Sequence, residues 1–249
     1  LNETKNENKI IENIDIGGPS LVRAAAKNFN HVTIITDKDD YKSFINDLRK
    51  NKGKTSLIYR KELARKAFSF TAYYDSIISE WFNKKLGIKF PEKKIIFGRK
   101  IESLRYGENP HQKASIYIND LEKENLGLIK LSGKQLSFNN YNDIYAGLEI
   151  LSSVKSLPTT VIIKHANPCG VASHKSPFLS FKKSQASDPI SAFGGIIACN
   201  YRINKKLADE INKTYFEVVL ANGFEKKALQ ILKKKQNMRI IDISQYNDD

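Results

Sequence analysis

Along the chain, apolar positions fall into short runs and helical stripes separated by polar turns. In "PSLVRAAAKNF" they recur at helical spacing behind Pro19, a residue suited to a first helical turn. "HVTIIT", residues 31–36, and "TSLIY", residues 55–59, are short runs rich in β-formers and predict strands. From Lys61 to Lys85, Leu63, Ala67, Phe70, Tyr74, Ile77, Ile78 and Trp81 lie on one broad helical face opposite a charged one, which reads as core packing. The period lapses over residues 85–112, where Gly, Pro and alternating charge predict a domain boundary near residue 98. Beyond it strand-like "ASIYI", "TTVIIKH", "GGIIACN", "EVVLA" and "MRIIDI" alternate with helix-like "DIYAGLEILSSVKS", "FLSFKKSQAS", "KKLADEINK" and "EKKALQILKKK". Such alternation predicts an α/β layered fold.

Composition narrows the function classes. At 249 residues, 41% of them hydrophobic, the chain can form one large packed domain or two ordinary ones. No apolar run approaches the roughly 18 residues that span a bilayer, and "LNETKNENKII" lacks the order of a secretory signal, so a cytoplasmic location without a membrane partner is expected. The net charge of +14 permits anionic ligands, but of the basic residues 33 are Lys and 8 are Arg, spread along helix faces. A nucleic-acid reader would cluster Arg with exposed aromatics, so no nucleic-acid partner is expected. Cys169 and Cys199 have no Cys-x-x-Cys spacing and read as reduced thiols. His31, His111, His165 and His174 show no metal-ligand pattern, and no metal is expected.

Four segments carry candidate chemistry. In "TTVIIKHANPCG" the apolar run reads as a buried strand with Lys164 and His165 at its carboxyl end, where ligands bind in open α/β sheets. The following Asn-Pro and Cys-Gly predict a turn. A Lys and a His so placed can divide one reaction, the His moving a proton and the Lys stabilising negative charge; a surface Lys beside a half-buried, hydrogen-bonded His fits the spacing equally well. "RYGENPHQ", residues 105–112, gathers Arg105, Tyr106 and His111 in a turn-rich segment that offers a phosphate fork and orienting donors, or is an ordinary polar loop. "SDPISAFGGII" sets two glycines before an apolar run, as a close approach to a ligand or as a tight turn. "DIGGPSLVRAAAK" puts Asp15 and two glycines ahead of a helix bearing Lys27, an anion cradle or a plain loop.

Taken together, "IENIDIGGPSLVRAAAKN", "RYGENPHQKA", "KHANPCGVA" and "SDPISAFGGIIACN", in this order over residues 11–200, resemble the bifunctional purine biosynthesis family. That family joins IMP cyclohydrolase to phosphoribosylaminoimidazolecarboxamide (AICAR) formyltransferase. "YFEVVLANGFEKKALQILKKKQNMRII" is similar to it as well. The resemblance implies that residues 1–98 are the C-terminal part of a methylglyoxal-synthase-like cyclohydrolase domain. Residues 99–249 are then the first part of a formyltransferase domain of cytidine-deaminase-like fold, used without zinc.

It further implies that His165 accepts the proton of the AICAR 5-amino group as it attacks the formyl carbon of the co-substrate 10-formyltetrahydrofolate. Lys164 would stabilise the oxyanion and assist proton transfer to the folate nitrogen. Arg105, Tyr106 and His111 would hold AICAR and its phosphate, with Asn140, Ser191, Phe193 and Gly194 near it and Glu217 facing the nucleotide. Asp15 and Lys27 match cyclohydrolase residues, whose reaction closes formyl-AICAR to IMP. The family forms homodimers. The chain opens on Leu1 and lacks the family's earlier cyclohydrolase and later formyltransferase segments, so an internal fragment of uncertain activity is expected. A basic nucleotide- or RNA-binding module, or a dimerisation fragment without catalysis, is the alternative.

Overall fold

Residues 6–119, 121, 126–154 and 156–246 are described by a computed structural model, and the chain divides into two units, Leu1–Gly98 and Arg99–Asp249. The described part of the first unit is helical: α1 (Glu7–Glu12), α2 (Gly17–Lys27), a 3-10 turn (Lys38–Asp40), α3 (Tyr41–Lys50) and α4 (Leu57–Lys85). The two strands expected here do not form. Residues 32–36 are irregular, and no described strand in this unit offers the backbone partner that a β-branched run needs. Instead Thr33 Oγ1 meets Thr55 Oγ1 at 2.7 Å, and the Arg60 side chain donates to the carbonyls of Phe29 and Asn30 at 2.7 and 2.9 Å.

Leu57, Ile58 and Tyr59 belong to α4, because Ser56 caps it: the Ser56 hydroxyl accepts from the amide of Tyr59 at 3.3 Å, and Asp47 accepts the Ser56 amide at 2.7 Å. A cap of this kind overrides a local strand preference. The stripe on α4 is only partly core. Leu63, Ala64, Ala67, Thr71 and Ser76 are buried, whereas Phe70 is 52% exposed. Ala64 and Ala67 meet Ala26 of α2, flanked by Val22, Phe29 and Ile34, so small residues let the two helices approach closely.

The second unit opens with an antiparallel hairpin, β1 (Arg99–Ser103) and β2 (Ser115–Ile118). A six-stranded sheet follows, built from β3 (Ile129–Ser132), β4 (Thr159–Lys164), β5 (Asn167–Ser173), β6 (Ile196–Cys199), β7 (Val218–Ala221) and β8 (Arg239–Asp242). Its order is β3-β8-β7-β6-β4-β5; β6, β7 and β8 are mutually parallel, while β4 runs antiparallel to both β6 and β5. The central strands read as unbroken apolar runs because both faces are covered. Val161, Ile163, Ile196, Ala198, Val218 and Leu220 face α5 (Phe138–Ser153), packing on Tyr141, Ile144 and Leu148. The alternate residues Ile162, Ile197, Cys199, Val219 and Ala221 face α6 (Pro177–Ser187), α8 (Lys205–Ile211) and α9 (Lys226–Leu232), with Phe181, Leu207 and Ala228 among their partners. Between α6 and β6 lies the short helix α7 (Pro189–Ala192). No helix among the described residues is long and apolar enough to cross a membrane.

Two features of β4 and β5 depart from expectation. Asn-Pro and Cys-Gly are not a turn but part of β5, where Pro168 is tolerated because β5 is the edge strand. The reversal is made by His165 and Ala166 alone, at φ 54° and 58°, with Lys164 paired to Asn167 across it. Register shifts between Ile162 and Ile163, so that Cys169 is an extra residue in β5. Farther along, α6 crosses β5 at Gly170 so closely that a Cβ there would stand 1.9 Å from the Ser184 carbonyl oxygen. Gly170→Ala is therefore expected to destabilise the second unit by about 1–3 kcal/mol, the usual range for overpacking, measured as a lowered urea midpoint at unchanged slope.

Candidate active site

Because β4 is antiparallel to β6, its carboxyl end lies beside the amino ends of β6, β7 and β8, with Ile163 opposite Ile196. Lys164, His165, Asn140, Phe193, Gly194 and Glu217 gather at this end of the sheet. The carboxyl ends of the parallel strands, the usual ligand crevice of such sheets, hold instead a cavity of about 250 Å³ lined in part by Leu151, Asn200 and Tyr246. Asn200 is committed to structure there, accepting from the amide of Thr159 at 2.7 Å and donating to the carbonyls of Val154 and Leu157.

The chain segments at the first end are tied edge to edge. Gly194 donates to the Tyr215 carbonyl at 2.9 Å, Glu217 to that of Gly195 at 3.0 Å, and Arg239 to that of Glu217 at 2.9 Å. Gly194 adopts φ 75°, a left-handed value that favours glycine, and this bend carries the chain from α7 into β6. Before it, Asp188 caps α7, accepting from the amide of Ser191 at 2.9 Å. Hydrogen bonds from the Ser191 side chain and amide hold the Asp188 carboxyl below the usual carboxylate range, with the Lys164 charge adding to them. The Phe193 ring, 58% exposed, tilts against Tyr215 at 5.5 Å between centroids.

Lys164 ends β4 and donates from Nζ to the Phe193 carbonyl at 2.9 Å, so its charge is aimed along the α7–β6 bend. The thiol of Cys169 is pushed up, by burial first and by the Asp188 charge second, with Lys164 opposing. His165 follows with its side chain exposed. It is therefore not the half-buried histidine that the spacing also allowed.

Helix α5 supplies the opposite wall. Ser137 and Asn140 form a reciprocal cap, each side chain bonded to the other's backbone amide. This leaves the Asn140 amide nitrogen directed at Glu217 Oε2, 3.1 Å away. Glu217 also faces Arg239, whose Nη1 lies 3.5 Å from the same oxygen and whose side chain is 8% exposed. Arg239 Nη2 donates to the carbonyl of Gln135 at 3.3 Å, while its Nε is buried without a partner among the described residues. One turn beyond Asn140, the Asp143 carboxyl accepts the amide of Ala166 at 2.6 Å. Burial raises this carboxyl above its ordinary value, with the amides of Ala166 and His165 opposing the rise.

The segment bearing Arg105, Tyr106 and His111 lies against the start of α5. Asn139 donates to the Glu108 carbonyl at 3.2 Å, and Tyr141 donates to the Glu102 carboxyl at 2.7 Å. Gln112 holds the loop together, accepting the amide of Asn109 at 2.8 Å on its side chain and that of Gly107 at 3.0 Å on its carbonyl. Arg105 lies over the Tyr106 ring at 5.3 Å, and both Arg105 and His111 are exposed. Asp15 and Lys27 belong to the first unit and stand at opposite ends of the 11-residue α2, which at 1.5 Å per residue separates them by roughly 16 Å. The helix start is not an open anion cradle, because Asp15 Oδ1 itself accepts the amide of Gly18 at 2.9 Å.

Asp143 and Arg239 enter the site without having been expected from sequence. Asp143 carried a usable signal, since it follows Asn140 by three residues and so shares its helix face. Arg239, the one charged residue opening the apolar run "RII", signalled only that a buried strand begins with a cation.

Comparison with known proteins places this geometry in context. The family model for the AICARFT/IMPCHase bienzyme matches residues 25–249. The bifunctional purine biosynthesis protein PurH of Thermoanaerobacter sp. (strain X514) is 45% identical over 246 residues, covering 98% of this chain and 48% of the relative. Those of Persephonella marina and Leptospira biflexa are each 46% identical, covering 96% of this chain and 47% and 46% of theirs. The chain thus spans about half the length of these curated relatives. With most of its residues matched by the family model, the chain belongs to the AICARFT/IMPCHase bienzyme family.

Proposed function

We propose that residues 99–249 carry the AICAR-binding and proton-transfer part of a formyltransferase, and residues 1–98 part of an IMP cyclohydrolase, in de novo purine synthesis. The observation that carries this reading is the convergence of Lys164, Asn140, Glu217 and the Phe193–Gly194 bend at one end of the sheet, beside the exposed His165. His165 takes the proton from the 5-amino group of AICAR as nitrogen attacks the formyl carbon of 10-formyltetrahydrofolate. Lys164, held by the Phe193 carbonyl, offsets the negative charge that develops on the formyl oxygen and assists protonation of the departing folate nitrogen.

Glu217, oriented by Asn140 and Arg239, faces the nucleotide, and Ser191, Phe193 and Gly194 border it. Arg105, Tyr106 and His111 hold AICAR, its phosphate included. The basic balance of the chain, +14, suits substrates that are anions. Asp15 and Lys27 serve the cyclisation of formyl-AICAR. In keeping with the family resemblance, the finer folds are methylglyoxal-synthase-like for the first unit and cytidine-deaminase-like for the second, and the working enzyme is a cytoplasmic homodimer that uses no metal.

Calorimetric titration of the 249-residue chain with AICAR at moderate salt should give saturable binding, and His165→Ala should leave the affinity within about threefold. With this segment in a chain of the relatives' length, the same substitution should lower formyl transfer by about 10²–10⁴, the usual share of a general base. Unchanged turnover would remove His165 from that role; no AICAR binding, with salt-sensitive RNA binding in its place, would favour a basic binding module.

Glu217→Gln should weaken AICAR about tenfold, the worth of one charge-assisted hydrogen bond, without displacing Asn140 from the α5 cap. Lys27→Ala should impair cyclisation while formyl transfer stays within about twofold, read by following IMP and formyl-AICAR separately; equal loss of both would point to misfolding.

A further inference from the structure

His165 and Ala166 are consecutive, both carry side chains, and both sit at positive φ, 54° and 58°. A two-residue hairpin with this pair of angles is normally occupied by Asn-Gly or Gly-Gly, because a Cβ is disfavoured in the left-handed region. Residues held in this way persist only where their surroundings over-determine them. Here the surroundings supply a single carboxylate. Asp143 Oδ1 accepts the amide of Ala166 at 2.6 Å, and the amide of His165 also bears on the same carboxyl. Asn167 adds a bond from the far side, donating from its side chain to the His165 carbonyl at 2.8 Å.

Asp143 is itself fixed. It lies on α5 between the capped first turn and the residues Ile144 and Leu148, which are 0% and 2% exposed in the core beneath β4 and β6. The helix face that aims Asn140 at Glu217 aims Asp143, one turn later, at the turn. We propose that Asp143 is a positioning residue that locks the His165–Ala166 turn in its left-handed form and so sets where the His165 imidazole stands relative to Glu217. The inference rests on the reading of His165 as the proton acceptor, because only that reading makes the locked turn matter to chemistry. Burial that raises the Asp143 carboxyl, set against amides that lower it, agrees with a carboxylate whose main partners are backbone donors.

The test compares the isotopically labelled chain with Asp143→Ala, Asp143→Asn and the double variant Asp143→Ala/Ala166→Gly by NMR. The unsubstituted chain should show slow exchange of the Ala166 amide, and at residues 165 and 166 the strong intraresidue cross-relaxation between amide and Cα protons that marks positive φ. Asp143→Ala should speed exchange of that amide by about 10–100-fold and weaken the cross-relaxation, while core amides of β6 and β7 stay protected. Asp143→Asn, which keeps side-chain volume and one acceptor, should give a smaller change in a protein that still folds. The added Ala166→Gly should restore the positive-φ signature at His165, because glycine at the second turn position enters the left-handed region without a Cβ penalty and re-forms the turn without the carboxylate.

Unchanged exchange and cross-relaxation in both single variants would overturn the proposal. Parallel titration with AICAR separates it from the functional reading. Absence of binding by the unsubstituted chain counts against that reading alone, and the NMR comparison still decides for or against the lock.

Discussion

The direction of one strand governs the site. β4 enters the sheet antiparallel to β6, and the chain leaving its carboxyl end turns back at once to pair antiparallel as β5. Only two residues are available for the reversal, and both take positive φ. The same antiparallel contact brings the end of β4 beside the amino ends of the parallel strands, where Gly195, Glu217 and Arg239 stand in line. Had β4 run parallel to its neighbours, Lys164 and His165 would lie at the opposite end of the sheet, beside Asn200 and Asn222 and away from every acidic and glycine-rich segment discussed above.

Around that constraint the polar groups form a chain of supports rather than a set of independent contacts. The Ser137–Asn140 cap orients Asn140, Asn140 and Arg239 orient Glu217, and Asp143 holds the turn that bears His165. Each support is rooted in an element whose other face is core: α5 through Ile144 and Leu148, β8 through Ile240 and Ile241. Rigid anchoring matters because an active group displaced by even 1 Å loses most of its advantage. His165, Arg105 and His111 are exposed, whereas Asn140 and Arg239 are buried and Asp143 is half-buried.

In the first unit the packing logic differs. α2 and α4 meet through Ala26, Ala64 and Ala67, while Phe70 of the α4 stripe stays 52% exposed. Periodicity located the helix but not its contact face, since a small-residue seam and a bulky stripe share one helical repeat. Asp15 and Lys27 flank the 11-residue α2, one before its start and one at its end.

Much of the second unit was legible without coordinates. Runs such as "TTVIIKH", "GGIIACN" and "EVVLA" are apolar on both faces, which only a covered strand tolerates, and their alternation with helical stripes implies a layered α/β sheet. Lys164 and His165 could be singled out because they end such a run; family resemblance gave them roles and was the only pointer to Glu217. The sheet direction of β4, the left-handed pair and the inclusion of Asn-Pro in a strand were not legible, because each depends on which neighbour a strand pairs with, a long-range choice that local spacing does not encode. The N-terminal runs at residues 31–36 and 55–59 failed for the same reason. Strand propensity is realised only against a partner, and where a Ser56 cap and the Arg60 side chain satisfied the backbone instead, helix and irregular chain won. Sequence by itself determined the covered strands of the second unit and the candidate pair Lys164 and His165, because apolar runs and their polar ends are local features; tertiary structure decided which end of the sheet that pair shares and which carboxylate holds the turn, because both depend on long-range pairing.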